Sequence, residues 1–325
     1  MRLAQVPYFA LLLACLASAC LAQGAYPAKP VRIVATFTPG GAADFTARIV
    51  ADKWSELWQQ QVIVENRIGA GGSIGAEAVH KAPADGTTLL LVASAHAFNA
   101  ALYPKLPFDI LKDFVPLGLA TSTPIALAVH PRMPIKSVRE FTALLRAQPG
   151  KIDYATCGVA TAHHLAMELY KHATKTYAVH IPYRGCGPAV VDAVGGQIEV
   201  VVSSLTTVLP HAKAGRLRLL AVTSMNRSPS APEVPSFRES GVAGLENYQV
   251  EVYYGLMARI GTPRDALAKV AADLPRVITM PEVAQRISAA GIDLFVKSPE
   301  EMAAILRADV ERFREVIRDA GIRPE

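Results

Sequence analysis

Apolar residues along this chain come in two alternating rhythms: short dense runs, and longer stretches with three- and four-residue spacing. The run at 31–37 predicts a buried strand. Thr38-Pro39-Gly40-Gly41 turns the chain, and Phe45, Ile49, Trp54, Leu57 and Trp58 then mark one face of a helix. Further strands are expected at 62–65 and 88–93, separated by a glycine-rich loop (69–75), a short helix to about Lys81 and an Asp85-Gly86 turn. Segments 117–120 and 125–130 read as two strands broken at Thr123-Pro124, since proline has no ladder donor. Segments 152–156, 178–182, 198–203, 217–223 and 254–258 complete the strands, and 226–237, rich in Pro and Ser, is a loop.

Helix starts are written into the polar punctuation. Ser137 and Glu140 form a capping-box pattern ahead of Phe141, Leu144 and Leu145, and that helix stops at Pro149-Gly150. Thr262-Pro263-Arg264-Asp265 and Ser298-Pro299-Glu300-Glu301 each offer an N-cap, a proline at the first helical position and an acid in the first turn. The last helix carries Met302, Ile305, Leu306, Val310, Phe313 and Ile317 on one face. Apolar strands joined by helices predict an α/β protein with parallel sheets covered on both faces. With 325 residues, two α/β lobes accommodate these strands better than one.

The first residues change the compartment. Arg2 precedes an apolar stretch over 6–22 that ends in small residues, the pattern of a secretory signal peptide over 1–24. Cleavage after Ala19 or after Gly24 fits, and Cys20 keeps a lipoprotein alternative open. Export leaves Cys157 and Cys186, each in a glycine-containing turn after an expected strand. If those strands are neighbours, the turns emerge at one edge within bridging distance, so a disulfide is expected, with two free thiols as the alternative. The formal net charge of +5 is scattered, with no basic block interleaved with aromatics, which argues against nucleic-acid binding.

Candidate chemistry gathers where strands end, the position at which open α/β sheets bind ligands. Phe37 to Asp44 brings two glycines to the opening of a helix, where amides suit an anion and Asp44 either caps the helix or holds a water or amine. Gly71-Gly72-Ser73-Ile74-Gly75 matches G-x-S-x-G formally. A nucleophile elbow follows its strand directly, whereas this strand ends near Glu65, so Ser73 reads better as a helix N-cap than as the nucleophile of an exported serine hydrolase. Tyr154 to His164 runs from a strand through small residues to a helix capped by Thr161. His163 and His164 point about 100° apart on a helix and chelate poorly, so no metal is expected. His180 to Pro188 repeats the strand–glycine–helix pattern with Arg184 beside it. No Ser/His/Asp order or paired carboxylates has usable spacing, and no enzyme or cofactor is expected.

Tyr26-Pro27-Ala28-Lys29-Pro30, Pro39-Gly40-Gly41 with Asp44, Glu65-Asn66-Arg67, Lys112-Asp113-Phe114, Pro182-Tyr183-Arg184-Gly185 and Leu220-Ala221-Val222-Thr223-Ser224 together carry a resemblance over essentially the whole exported chain. It resembles the Bug family of periplasmic solute receptors, which serve tripartite tricarboxylate transporters. The resemblance implies a type II periplasmic-binding-protein fold: lobe 1 from 26–124 and 253–325, lobe 2 from 125–252, joined by crossing strands around a cleft. It implies a monomer that captures a small carboxylate and delivers it to membrane permease subunits; a ligand sensor feeding a membrane signalling partner is the alternative. It places Gly40, Gly41 and Asp44 opposite Thr156, Gly158, Ala160 and Thr161 around the carboxylate, with Phe37 along the ligand body. Ser94, Gly187, Ser203 and Tyr253 are implied as further wall positions. Ser203-Ser204 stands where the family often has Asp-Asn, which leans away from a ligand carrying an ammonium group.

Overall fold

The computed structural model describes residues 26–319 except Thr38, Pro104 and Ala160; the expected leader, with Cys20, lies outside them. The first elements are β1 (Val31–Ala35), α1 (Ala42–Trp58), β2 (Val62–Asn66), α2 (Ser73–Lys81), β3 (Thr88–Ala93), α3 (Ser94–Leu102) and β4 (Phe114–Val129). There follow α4 (Val138–Ala147), β5 (Asp153–Thr156), α5 (Ala162–Thr174), β6 (Val179–Pro182), α6 (Cys186–Val194), β7 (Val200–Ser204), α7 (Leu205–Lys213) and β8 (Arg218–Val222). The chain closes with β9 (Glu251–Arg259), α8 (Arg264–Ile278), α9 (Pro281–Ala289), β10 (Asp293–Lys297) and α10 (Pro299–Asp319).

The strands run in the order β2-β1-β3-β9-β4-β7-β5-β6, with β8 and β10 also paired to β4. β2-β1-β3 and β7-β5-β6 are parallel as expected. The sheet is nevertheless mixed, because β9 and β4 enter antiparallel to their neighbours.

β4 corrects the expectation of two strands. It is one 16-residue strand that passes through Pro124. Its partners change there: pairing with β9 ends at Pro124–Glu251, and pairing with β7 and β8 begins at Ile125 and Ala126. The missing proline N–H therefore falls at a change of partners. Beside it the Ile125 amide donates to Thr223 Oγ1 at 3.0 Å, and that hydroxyl donates to the Val250 carbonyl.

Each half of the sheet is covered on both faces, as strand alternation requires. In the first half Ile33, Leu89 and Leu91 pack with Trp54 of α1, while Val34, Leu90 and Met257 pack with Leu306 and Phe313 of α10. In the second half Leu127, Val200 and Val202 meet Phe141 and Tyr170 on one face, and Ala126, Ala128 and Val201 meet Val190 and Val208 on the other.

Three helix starts differ in detail from expectation. Gly72, not Ser73, is the N-cap of α2; Ser73 is the first helical residue, its Oγ accepting from Asn99 Nδ2 at 3.3 Å. α8 begins at Arg264 with Pro263 as N-cap, because the Thr262 hydroxyl turns back to the Arg259 carbonyl. Glu140 accepts from the amide of Lys136 rather than that of Ser137, although Ser137 caps α4 as expected. At α10 the reciprocal Ser298–Glu301 bonds are both present.

Candidate functional site

Helices α1, α3, α5, α6 and α7 begin at the walls of one cavity of about 850 Å³ between the two halves of the sheet. Each such terminus presents amides without intrahelical acceptors and the positive end of the helix dipole, equivalent to roughly half a charge. α1 and α3 come from the first half; α5, α6 and α7 come from the second. Among the described residues, no aspartate or glutamate lines the cavity, and Arg184 is the one formal cation that does. The cavity is thus electropositive through its backbone more than through its side chains.

The β1–α1 turn is built around Gly40, whose φ of +81° suits glycine, and Gly41, the N-cap of α1, has no side chain to occupy the helix amides. Asp44 holds this turn from behind. It accepts from the Gly40 amide at 3.0 Å, Arg48 Nε at 2.8 Å and Asn66 Nδ2 at 2.9 Å. Burial raises its pKa, but these bonds outweigh it and hold the carboxyl below its usual range. At α3 the His96 ring takes the Ala93 amide at 3.1 Å and meets the Phe37 ring edge-on; burial depresses its pKa to about 4.

The opposite wall is a pair of turns joined covalently. β5 and β6 are parallel neighbours, with Thr156 opposite Pro182, so their turns leave the same edge and Cys157 is bonded to Cys186. Thr161 caps α5 as expected: its hydroxyl donates to the Gly158 carbonyl at 2.9 Å and accepts from the His164 amide at 3.3 Å. His163 reaches Ser204 Oγ through Nε2 at 2.9 Å, and burial lowers its pKa to about 4, so it is a neutral group at pH 7. Cys157, Cys186 and His163 bring their ligating atoms within 4.8 Å of one another, but sulfurs joined to each other offer no thiolate.

Of the residues expected at a ligand, Phe37, Gly40, Gly41, Ser94, Thr161 and Gly187 line the cavity. Asp44, Thr156, Gly158, Ser203 and Tyr253 stand behind the wall, and Ala160 lies outside the described residues. Thr156 is engaged with His180 Nε2 at 2.6 Å, and Gly158 (φ +134°) forms the turn that Thr161 holds. The Tyr253 hydroxyl donates to the buried Asp309 at 2.8 Å.

For two of these positions the difference is strand parity. Successive strand residues face opposite ways, and it is Ser204 and Tyr254, one residue on, that face the cavity. Asn99, Tyr103, Thr206, Thr207 and Ile292 also line it and were not anticipated. Thr206 and Thr207 follow directly from the strand-end rule once β7 is seen to lead straight into α7.

Comparison with known proteins agrees with this geometry. Residues 46–322 match the family model described as "Tripartite tricarboxylate transporter family receptor". The chain is 36% identical over 293 residues to the UPF0065 protein in the tcbD-tcbE intergenic region of Pseudomonas sp. (strain P51), covering 90% of this chain and 87% of that one. It is 32% identical over 298 residues to BugT of Bordetella pertussis, covering 91% and 90%. Among solved structures, an R. palustris protein with adipate superimposes with a TM-score of 0.79 at 29% identity, covering 92% of this chain and 100% of that one. MatC from Rhodopseudomonas palustris with bound malate gives 0.76 at 27% identity, covering 90% and 100%.

Proposed function

The chain belongs to the tripartite tricarboxylate transporter receptor family, and from that premise we propose that it captures an organic anion in the cavity between its sheet halves and presents it to a membrane permease. One observation carries this reading most directly: helix N-termini from both halves open on a single cavity whose wall, among the described residues, holds no acidic side chain. Such termini stabilise a carboxylate without a compensating cation, because the first amides of a helix have no intrahelical acceptor. A relative of similar architecture holds adipate and another holds malate, so carboxylates are the ligand class to be tested here.

In this reading Gly40 and Gly41 face Thr161 and Gly187 across the ligand, with Phe37 and Ser94 completing the wall. Asp44, Thr156 and Gly158 hold the turns in shape from behind. Lobe 1 comprises 26–124 and 253–325, and lobe 2 comprises 125–252, with β4 passing between them. Closure follows from a ligand that contacts both lobes and therefore binds the closed form more tightly. The protein acts in the periplasm after removal of its leader, as a binding protein without turnover. Ser73 supports that reading, since the partner held at its hydroxyl is the Asn99 amide rather than a histidine.

Native mass spectrometry of protein purified without dialysis, followed by calorimetry with the retained compound, tests the proposal. A retained organic acid that rebinds in a simple one-to-one titration is the expected result. A retained cation, or a ligand consumed by the purified protein, would refute it.

A further inference from the structure

We infer that the ligand of this receptor carries an aromatic ring as well as its carboxylate. The inference rests on the receptor reading above and goes beyond it by assigning the body of the ligand.

Apolar and aromatic side chains form much of the cavity wall. Phe37, Phe45, Tyr103 and Tyr254 all line the cavity, as do Val159 and Ile292. Many of the protein's large rings pair with one another: Trp54 stacks on Trp58 at 4.4 Å, Phe98 lies 5.7 Å from Phe313, and Phe141 stacks on Tyr170 at 5.9 Å. The four cavity rings do not pair among themselves. Among the described residues Phe45, Tyr103 and Tyr254 make no contact with another ring, and Phe37 meets only His96, with the two rings nearly perpendicular. Ring faces that end at a cavity are the surface on which a ligand ring gains most, by area and by offset or edge-on geometry.

The polar inventory points the same way. The Asn99 amide is already used on the Ala70 and Gly71 carbonyls, and His163 on Ser204. Where α1 opens, Ala42 and Ala43 offer methyl groups to the cavity. With no carboxylate among the described lining residues, a ligand ammonium has no counter-charge there, which disfavours amino acids. Arg184, exposed at the cavity and without a hydrogen-bond or ion-pair partner among the described residues, adds one more group for an anionic end.

Calorimetry on the purified exported protein with two matched pairs decides the matter: 3-phenylpropanoate against heptanoate, and phenylsuccinate against succinate, with 3-phenylpropanamide as the uncharged control. The aryl member of each pair is expected to bind at least about tenfold more tightly, and the amide to lose binding. Phe45→Leu keeps an apolar side chain without the ring, and it should narrow the aryl preference within each matched pair severalfold; an unchanged preference would count against the inference. If that variant melts early, Tyr103→Leu, which likewise removes a cavity-lining ring, provides the same comparison.

Aliphatic acids that bind as tightly as their aryl partners would overturn the inference and leave the receptor reading standing. Binding of the amide as tight as that of the acid, or no binding by any of the four acids, would overturn both.

Discussion

Replacing both Cys157 and Cys186 with serine removes the one covalent tie between the two turns that form the second half's wall of the cavity. The bridge spans 29 residues of sequence. In the chain-entropy treatment a loop of that length restrains the unfolded state by about 3.6 kcal/mol at 25 °C. The folded state keeps other restraints at the same turns, namely Thr161 on Gly158 and the β5–β6 ladder, so the variant is expected to fold. Urea unfolding followed by far-ultraviolet circular dichroism should show a loss of about 3–4 kcal/mol at nearly unchanged slope. Trp54 and Trp58 both lie on α1 in the first half, so tryptophan fluorescence shows in addition whether the two halves unfold together. Ligand affinity should fall as well, because the turns now move independently and binding must order them. A stability loss below about 1 kcal/mol, with affinity intact, would refute the view that this bridge holds the wall in place.

Other outcomes follow from the same contacts. Thr161→Ala removes the N-cap of α5, so a loss of about 1 kcal/mol in thermal or urea unfolding is expected, together with weaker ligand binding; unchanged affinity would mean the α5 terminus does not meet the ligand. Thr223→Val leaves the Ile125 amide and the Val250 carbonyl without partners beside Pro124, at a cost of about 1–3 kcal/mol in the same assays, and a neutral result would show the strand does not depend on that bridge. His163 is buried and held near pKa about 4, below the ~6.5 of an unfolded histidine, so the unfolded chain binds the extra proton between those values. Its contribution is complete above pH 6.5 and declines as pH falls toward 4, reaching a loss of about 2 kcal/mol at pH 5. His163→Asn should therefore flatten the difference in stability between pH 7.5 and pH 5 by roughly that amount, and an unaltered difference would contradict it.

Much of the architecture is legible in the sequence because local signals and tertiary demands coincide. The β1 run, its glycine turn and the α1 face are one continuous pattern, and Thr161 precedes its helix as an N-cap should. The Cys157–Cys186 bridge follows from two strand-end turns once β5 and β6 are neighbours. What stayed hidden depends on distant partners. α3 is buried on nearly all sides, so Ser-Ala-His-Ala-Phe-Asn-Ala-Ala-Leu shows no polar face and no helical period. β4 continues through Pro124 because Thr223, far away in sequence, supplies the hydrogen bonds. α9 and β10 are short, and Asp293 on β10 is a half-buried acid, raised in pKa by partial burial, that accepts from Ser228 and Ser230 of the 226–237 loop. At the site itself, the cavity-facing members of Ser203-Ser204 and Tyr253-Tyr254 depend on strand parity, which a run of like residues does not reveal.

A crystal structure of the protein with its retained ligand tests the central claim most directly. The account predicts a carboxylate group within hydrogen-bonding distance of backbone amides from both halves, at the start of α1 on one side and of α5 or α6 on the other. A ligand anchored instead through side chains of a single half, or seated outside this cavity, would contradict it.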